Sequence, residues 1–178
     1  AHGGTLFFDE VADMPQTTQA KILRILTDQT FERVGGDLKV QVNVRVVSAT
    51  SRNLREEIDA GKFREDLYHR LNVVPVRVPS LTQRREDIPV LIKQMMISFT
   101  NTTGCSPMDI NEASLSALQA HDWPGNVRQL RNTVERIMIL FGEEDVIAVD
   151  MLPAEVRGDS KIIRPNPNTE IMTLTLRE

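Results

Sequence analysis

The first part of the chain alternates apolar runs with amphipathic stretches, which is typical of an α/β domain. Residues 3–10 form an apolar run closed by Asp9 and Glu10, which predicts a buried parallel strand ending in an acidic turn. Residues 15–28 carry apolar side chains at helical spacing, with Asp13 as the predicted cap. The expected order is a strand followed by a helix that covers the sheet.

The next segment has a period of two. Its four alternating valines are Val40, Val42, Val44 and Val46. The glycine-rich turn 35–37 permits positive φ, so residues 30–34 and 38–46 are predicted to form a hairpin, each side being one strand. The remaining elements predicted for this part are helices over 53–60 and 63–71 and a strand over 73–78.

Only helical spacing follows the polar connector at 79–86. The predicted helices cover residues 87–103, 111–121 and 127–141. Past Gly158 the apolar periodicity is lost, and residues 164–168 include two prolines, which is typical of a linker. The chain is therefore expected to end in a small all-helical domain and a tail.

Composition narrows the classes of protein. With 178 residues, 40% of them hydrophobic and 26% charged, the chain can bury a sizeable core. A net charge of −4 argues against a chain-wide phosphate-binding surface, and 4% aromatic residues disfavour recognition by base stacking. The sequence has a lone Cys105 and no leader pattern, so a reducing cytoplasm is the expected location. No membrane span is expected, because no apolar run reaches about 20 residues.

The acidic pair is the first candidate for chemistry. At the carboxyl edge of a parallel sheet, Asp9 could hold Mg²⁺ and Glu10 could polarise an attacking water. The alternative is an exposed acidic turn, which these residues alone favour because short motifs match often by chance. No glycine-rich phosphate loop occurs in the sequence.

The arginines also allow two interpretations. Arg64 and Arg70 are six residues apart, so on a helix they do not share a face, and pairing with Glu65 and Asp66 would explain them as surface charges. A helix, a tight turn and a helix bearing Arg128 would also describe a helix-turn-helix that reads DNA. The balanced charge of these two helices disfavours it.

Several motifs occur together in a recognisable order: GGTLFFDE, FERVGG, VVSATSRNL, GKFREDLYHRLNVVPVRVP, REDIP and WPGNVRQLRN. Over residues 2–156 the chain resembles the AAA+ central domain of sigma-54-dependent transcriptional activators, the NtrC family, including NtrX-like nitrogen-response regulators. The resemblance implies a partial P-loop-NTPase-type parallel sheet with flanking helices at 1–79 and a helical lid at 80–157. Residues 158–178 would be a linker. It also implies that the later part of the valine stretch is a buried parallel strand.

The same resemblance assigns roles on the nucleotide's own subunit. Asp9 would bind Mg²⁺, with Glu10 acting through water, and Thr50 of sensor I would orient the water or report the γ-phosphate. Ser51, assigned to nucleotide binding, stands where the family usually has Asn and is a shorter donor with one fewer amide contact. As an alternative, Ser51 would cap the helix that begins near Leu54.

The remaining roles belong to arginines. Arg64 and Arg70 match the paired arginine fingers that one subunit supplies to its neighbour's nucleotide, and Arg128 matches the sensor II residue that reaches the phosphates from the lid. A guanidinium suits this because it stays charged and meets phosphate oxygens with two donors. Trp123 is expected to be a packing anchor.

The implied function is a ring-forming ATPase that hydrolyses ATP with Mg²⁺ to remodel sigma-54 RNA polymerase, so that the promoter opens. An upstream receiver domain would control it, and a DNA-binding domain would follow. Because the family's P-loop precedes the matched region, this chain alone is expected to bind ATP poorly and not hydrolyse it. The alternative is a non-enzymatic oligomerisation or helix-turn-helix DNA-binding fragment.

Overall fold

A computed structural model describes residues 2–32, 39–106 and 108–158 of the chain. Its contacts divide it into two compact units, one up to Arg77 and one from Val78 onward. The predicted turn at 35–37 and the predicted linker past Gly158 lie outside the described residues.

The first unit mixes short strands with helices. Its elements are β1 (Thr5–Phe8), α1 (Gln16–Asp28), β2 (Thr30–Glu32), β3 (Lys39–Gln41), β4 (Arg45–Ser48), α2 (Leu54–Asp59) and α3 (Glu65–Leu71). β1 pairs in parallel with β4, placing Phe8 opposite Ser48, and β2 pairs antiparallel with β3. The expected α/β class and the parallel strand at the end of the valine stretch are thus confirmed, but that strand is not buried, since Val47 is 39% exposed.

The prediction of one continuous strand over 38–46 is wrong. The period-two pattern spans two strands that belong to different sheets, β3 and β4. Val42 donates its N–H to the carbonyl of Gln29 at 2.7 Å, which extends the β2–β3 pairing by one residue. From Arg45 onward the chain pairs with β1 instead. Alternation reports which side chains share a face, and it carries no information on the partner strand.

Three further expectations fail in the first unit. Residues 73–78 form no strand, and Val76 is 81% exposed, because no described strand pairs with them. Strand β1 is not buried, since Phe7 is 58% exposed beside a single partner strand among the described residues. Asp13 lies in a 3₁₀ turn (Val11–Asp13), and Pro15 occupies the N-cap position of α1 without a side-chain cap.

The core of the first unit lies between α1 and α3. Val11, Phe63 and Leu67 are buried there, and apolar side chains of α1 and α2 pack around them. The predicted helix over 63–71 begins two residues late, because Arg64 has extended backbone and forms its N-cap. Phe63 therefore enters the core from the loop before α3.

The second unit is mostly helical. Its elements are a 3₁₀ segment (Leu81–Asp87), α4 (Ile88–Thr103), β5 (Asp109–Ile110), α5 (Glu112–Ala120), α6 (Asn126–Leu140), β6 (Val146–Ile147), a 3₁₀ turn (Val149–Met151) and α7 (Ala154–Arg157). The three long helices agree with the sequence pattern to within one residue at each end. The sequence pattern did not predict the parallel pair β5 and β6 or the short α7. Trp123, Leu130 and Ile92 are among the buried residues of one continuous core.

None of the helices within the described ranges is both long enough and apolar enough to cross a membrane.

Candidate functional site

The acidic pair lies at the carboxyl edge of the parallel strands. The N–H of Ala49 donates to the carbonyl of Phe8 at 2.8 Å, and the N–H of Val11 donates to the carbonyl of Ala49 at 3.0 Å. These bonds continue the β1–β4 pairing past the ends of both strands. They hold the turn at Asp9 and Glu10 beside the turn at residues 50 and 51.

Glu10 is held by Ser51. One carboxylate oxygen, Oε2, accepts hydrogen bonds from the backbone N–H and the Oγ hydroxyl of Ser51, both at 3.0 Å. These bonds, first the backbone bond and then that of the side chain, hold the pKa of Glu10 below its usual value, and Arg52 adds a smaller effect of the same sign. Glu10 is therefore ionised near neutral pH, which suits orienting and polarising a water.

The backbone of Glu10 is left-handed, with φ 46° and ψ 55°. A residue other than glycine adopts this region at a cost of about 1–3 kcal/mol, and such residues concentrate at functional sites. The N–H of Glu10 donates to Oδ1 of Asp9 at 3.1 Å, so the two acidic residues brace each other. Both carboxylates are exposed at the edge of the sheet.

The donor set fits a hard cation that is completed by other ligands. Within the part of the chain that the structure describes, no three His, Cys, Asp or Glu side chains group closely enough to form a metal site by themselves. Mg²⁺ is commonly held by one or two carboxylates, with phosphate oxygens and waters as its other ligands. Asp9 is exposed and offers carboxylate oxygens of this kind.

The structure corrects one alternative for Ser51. The N-cap of α2 is Asn53, whose side chain accepts the N–H of Arg55 at 3.1 Å, so Ser51 is not the cap. Thr50 is exposed, and its hydroxyl oxygen accepts the N–H of Arg52 at 3.1 Å. The edge thus brings Asp9, Glu10, Thr50 and Ser51 together, as the sequence predicts.

Arg64 forms a two-point ion pair with Asp66. Its Nε lies 3.0 Å from Oδ1, and a terminal nitrogen lies 2.6 Å from Oδ2. The pairing lowers the pKa of Asp66 and raises that of Arg64. The expected local ion pairing is therefore present for Arg64, although both side chains are more than 40% exposed.

Arg70 does not share this pair. It is exposed on the last turn of α3 and donates to the backbone carbonyl of Leu26 at 3.2 Å. The two arginine side chains thus differ in their hydrogen-bond partners, because Arg64 is held by a carboxylate and Arg70 by one neutral acceptor.

In the second unit, Arg128 is exposed in the first turn of α6. The turn before it is rigidly built: Trp123 is buried and its indole N–H donates to the carbonyl of Leu118 at 2.7 Å. The side-chain oxygen of Asn126 accepts the N–H of Leu81 at 2.7 Å. Both Trp123 and Asn126 have positive φ, which their contacts offset.

Arg85 holds the end of α5 beside this turn. Its guanidinium donates to the carbonyls of Gln119, Ala120 and His121 and pairs with Asp122 at 2.6 Å. The last carbonyls of a helix otherwise have no partner, so the arginine acts as a side-chain cap. Sequence analysis missed this role and that of Asn126, because both contacts join residues more than 30 positions apart.

The fold and this edge define a class. The first unit has two acidic residues and a Thr-Ser turn at the end of parallel strands, and a helix that bears arginines. The second unit is helical and has a braced turn. Together these features are typical of the AAA+ ATPase class with its lid. Residues 1–77 match the family model of the sigma-54 interaction domain, and residues 82–167 match that of the AAA+ ATPase lid domain.

Similar proteins of known class support this assignment. The chain is 53% identical over 182 residues to the nitrogen assimilation regulatory protein NtrX of Azorhizobium caulinodans, matching all of this chain and 40% of that protein. It is 47% identical to the nitrogen fixation protein VnfA of Azotobacter vinelandii, matching 90% of this chain and 31% of VnfA. The chain belongs to the family of sigma-54-dependent transcriptional activators.

Solved structures that resemble this chain support the same family. Crystal structures of NtrX from Brucella abortus in complex with ADP and in complex with ATP both have a TM-score of 0.84 and 55% identity. They cover 88% of this chain, which in turn covers 36% and 37% of those chains. The chain therefore spans well under half the length of the relatives that it matches.

Proposed function

We propose that this chain is the Walker B, sensor and lid region of a longer sigma-54-dependent activator, of the NtrX-like nitrogen-response type, that hydrolyses ATP. The observation that carries the proposal is the contact of Glu10 with Ser51 at the carboxyl edge of β1 and β4. We assign residues 1–79 to the α/β part of the ATPase, 80–157 to the lid, and 158–178 to a linker toward a DNA-binding domain. The proposed work is remodelling of sigma-54 RNA polymerase in the cytoplasm, by a ring of subunits.

Each side chain at the edge has a proposed task. Asp9 would hold Mg²⁺, which would supply positive charge to stabilise the phosphates. Oε2 of Glu10 is occupied by Ser51, so Oε1 is left to accept a hydrogen from the attacking water. Thr50 orients the same water through its hydroxyl. Ser51 thereby replaces the usual Asn by fixing the carboxylate.

The low pKa of Glu10 determines how it acts. A carboxylate whose pKa lies below its usual value is a weaker base than an ordinary glutamate and is ionised near neutral pH. Its contribution is therefore to orient and polarise the water, and the proton leaves with the phosphate product.

The arginines complete the charge stabilisation. Arg128 contacts the phosphates of its own subunit's nucleotide from the lid, while Arg64 and Arg70 contact the nucleotide of a neighbouring subunit. A head-to-tail ring joins two different faces, so Glu10 and Arg70 of one chain serve different active sites. Fingers of this kind are worth on the order of 10³–10⁵ in rate.

Substitution in the full-length protein tests the role of the acidic edge. We expect Glu10→Ala to retain ATP binding and lose hydrolysis, because the water loses its acceptor. Glu65→Ala is the matched control, since Glu65 is exposed and its carboxylate lies 3.8 Å from Nε2 of His69. ATP binding is measured by isothermal titration and turnover by phosphate release. Equal turnover in Glu10→Ala and Glu65→Ala would contradict the proposal.

Mixing tests whether the fingers act between subunits. Arg70→Ala and Glu10→Ala are each expected to be inactive. In an equal mixture that exchanges freely, about a quarter of head-to-tail interfaces pair an intact Glu10 with an intact Arg70, so some ATPase activity returns. A mixture that forms rings and stays inactive would contradict action in trans.

A further inference from the structure

Gln19 is a polar side chain that is buried within the described part of the first unit. It lies in α1 and is 0% exposed, although glutamine is usually found at the surface. Its Nε2 donates to the carbonyls of Met14 at 2.8 Å and Lys62 at 3.0 Å. Its Oε1 accepts the backbone N–H of Arg64 at 2.9 Å. One amide thus binds three backbone groups.

These bonds connect the start of α1 to the loop that precedes α3. The loop has no ladder of its own: the N–H groups of Lys62 and Phe63 both donate to the carbonyl of Glu57. Gln19 supplies the other partners, at the carbonyl of Lys62 and the N–H of Arg64. A second and exposed tether is Gln16, whose Nε2 donates to the carbonyl of Gly61.

Packing alone does not require an amide at this position. The surrounding core is apolar, with Val11, Phe63 and Leu67 buried, and a methionine has nearly the volume of glutamine. The amide adds directional hydrogen bonds, and these fix the backbone on both sides of Phe63. Arg64 has extended backbone, with φ −81° and ψ 131°, and its side chain leaves the loop from this fixed point.

We propose that Gln19 is a positioning residue for Arg64: it fixes the backbone from which this arginine reaches the neighbouring subunit's nucleotide. The inference rests on the proposed function, in which Arg64 is an arginine finger. A finger is useful only when its guanidinium meets the charge that develops in the transition state, and misplacement by about 1 Å costs on the order of 10²-fold in rate.

The test is a double-mutant cycle in the full-length protein. Gln19→Met removes the donor and the acceptor at similar volume, and Arg64→Ala removes the finger. We expect Gln19→Met to lower kcat about 10- to 100-fold with the affinity for ATP unchanged. In the Arg64→Ala background the same change should alter kcat by less than about twofold, because the residue it positions is gone.

Two further variants keep the test independent of stability. Leu23→Ala removes apolar packing around the same core without touching a hydrogen bond to the loop, so it serves as the stability-matched control with kcat near wild type. Gln16→Ala weakens the same loop from the exposed side, where folding is not at risk, and is expected to lower kcat about threefold.

The outcomes separate this inference from the proposed function. Full activity of Arg64→Ala would refute the finger and, with it, the positioning role. An Arg64→Ala variant that keeps only a residual but measurable turnover, beside wild-type kcat in Gln19→Met and Gln16→Ala, would overturn the positioning role alone. The same holds if Gln19→Met lowers kcat by equal factors in both backgrounds, or no more than Leu23→Ala does.

Discussion

The turn that begins α6 allows a quantitative prediction about Asn126. Its side-chain oxygen accepts the N–H of Leu81, a fully buried residue, and its backbone has φ 50°. Asn126→Ala leaves that N–H without a partner, at a cost of about 1–3 kcal/mol. Alanine also tolerates the left-handed region less well than asparagine, which adds about 1 kcal/mol. We expect the free energy of unfolding of the second unit to fall by about 2–4 kcal/mol.

Two variants separate these causes. Asn126→Asp keeps an acceptor and tolerates positive φ, so we expect a change within about 0.5 kcal/mol. Asn126→Gly loses the acceptor but relieves the backbone, so it should fall between the aspartate and alanine variants. The order of stability is therefore Asp, then Gly, then Ala.

The measurement is urea unfolding followed by tryptophan fluorescence. The sequence contains one tryptophan, Trp123, and it is buried in the second unit, so its emission reports on that unit alone. With an m value of about 1 kcal/mol/M, the alanine variant should lower the midpoint by about 2–4 M urea. Equal midpoints for Asn126→Ala and Asn126→Asp would refute the reasoning about the acceptor.

Three other predictions follow from single contacts. Ser51→Ala should raise the pKa of Glu10 toward its usual value in an NMR titration. Because folding lowers this pKa, the stability that it contributes is present at pH above the usual pKa and is lost as the pH falls through the lowered pKa. Arg85→Met should lower the free energy of unfolding by about 1 kcal/mol in the fluorescence assay, and an unchanged midpoint would show that the carbonyl contacts contribute nothing. The double variant Val74→Thr, Val76→Thr should self-associate less in sedimentation than the wild-type chain, since both valines are highly exposed, and unchanged association would contradict an apolar contact there.

Local patterns predicted the helices well. The spacing of apolar residues in α4, α5 and α6 is set by which face each helix buries, and this is a property of 9 to 16 consecutive residues. The edge at Glu10 was also predictable, because parallel strands must place their carboxyl ends together.

Features that depend on a distant partner were not predictable. Residues 73–78 have the composition of a strand, but a strand requires a neighbour to satisfy its N–H and C=O groups, and none of the described residues supplies it. The contacts of Gln19 and Arg85 reach across more than 30 residues, and their sequence neighbourhoods resemble ordinary polar helix positions. The roles of Asp9, Thr50, Arg70 and the other assigned residues remain predictions.

The ion pair of Arg64 with Asp66 is compatible with the role proposed for Arg64. The pair is exposed, and exposed pairs of this kind contribute little to stability, so little opposes its exchange for another partner. A phosphoryl group offers the guanidinium the same two-point geometry as a carboxylate, with more charge. Asp66 then holds Arg64 in a defined conformation while no phosphate is near, and Gln19 fixes the backbone from which the exchange takes place. Among the described residues Arg70 donates to one backbone carbonyl and pairs with no carboxylate, so in the proposed mechanism the two arginines reach the neighbouring nucleotide by different routes.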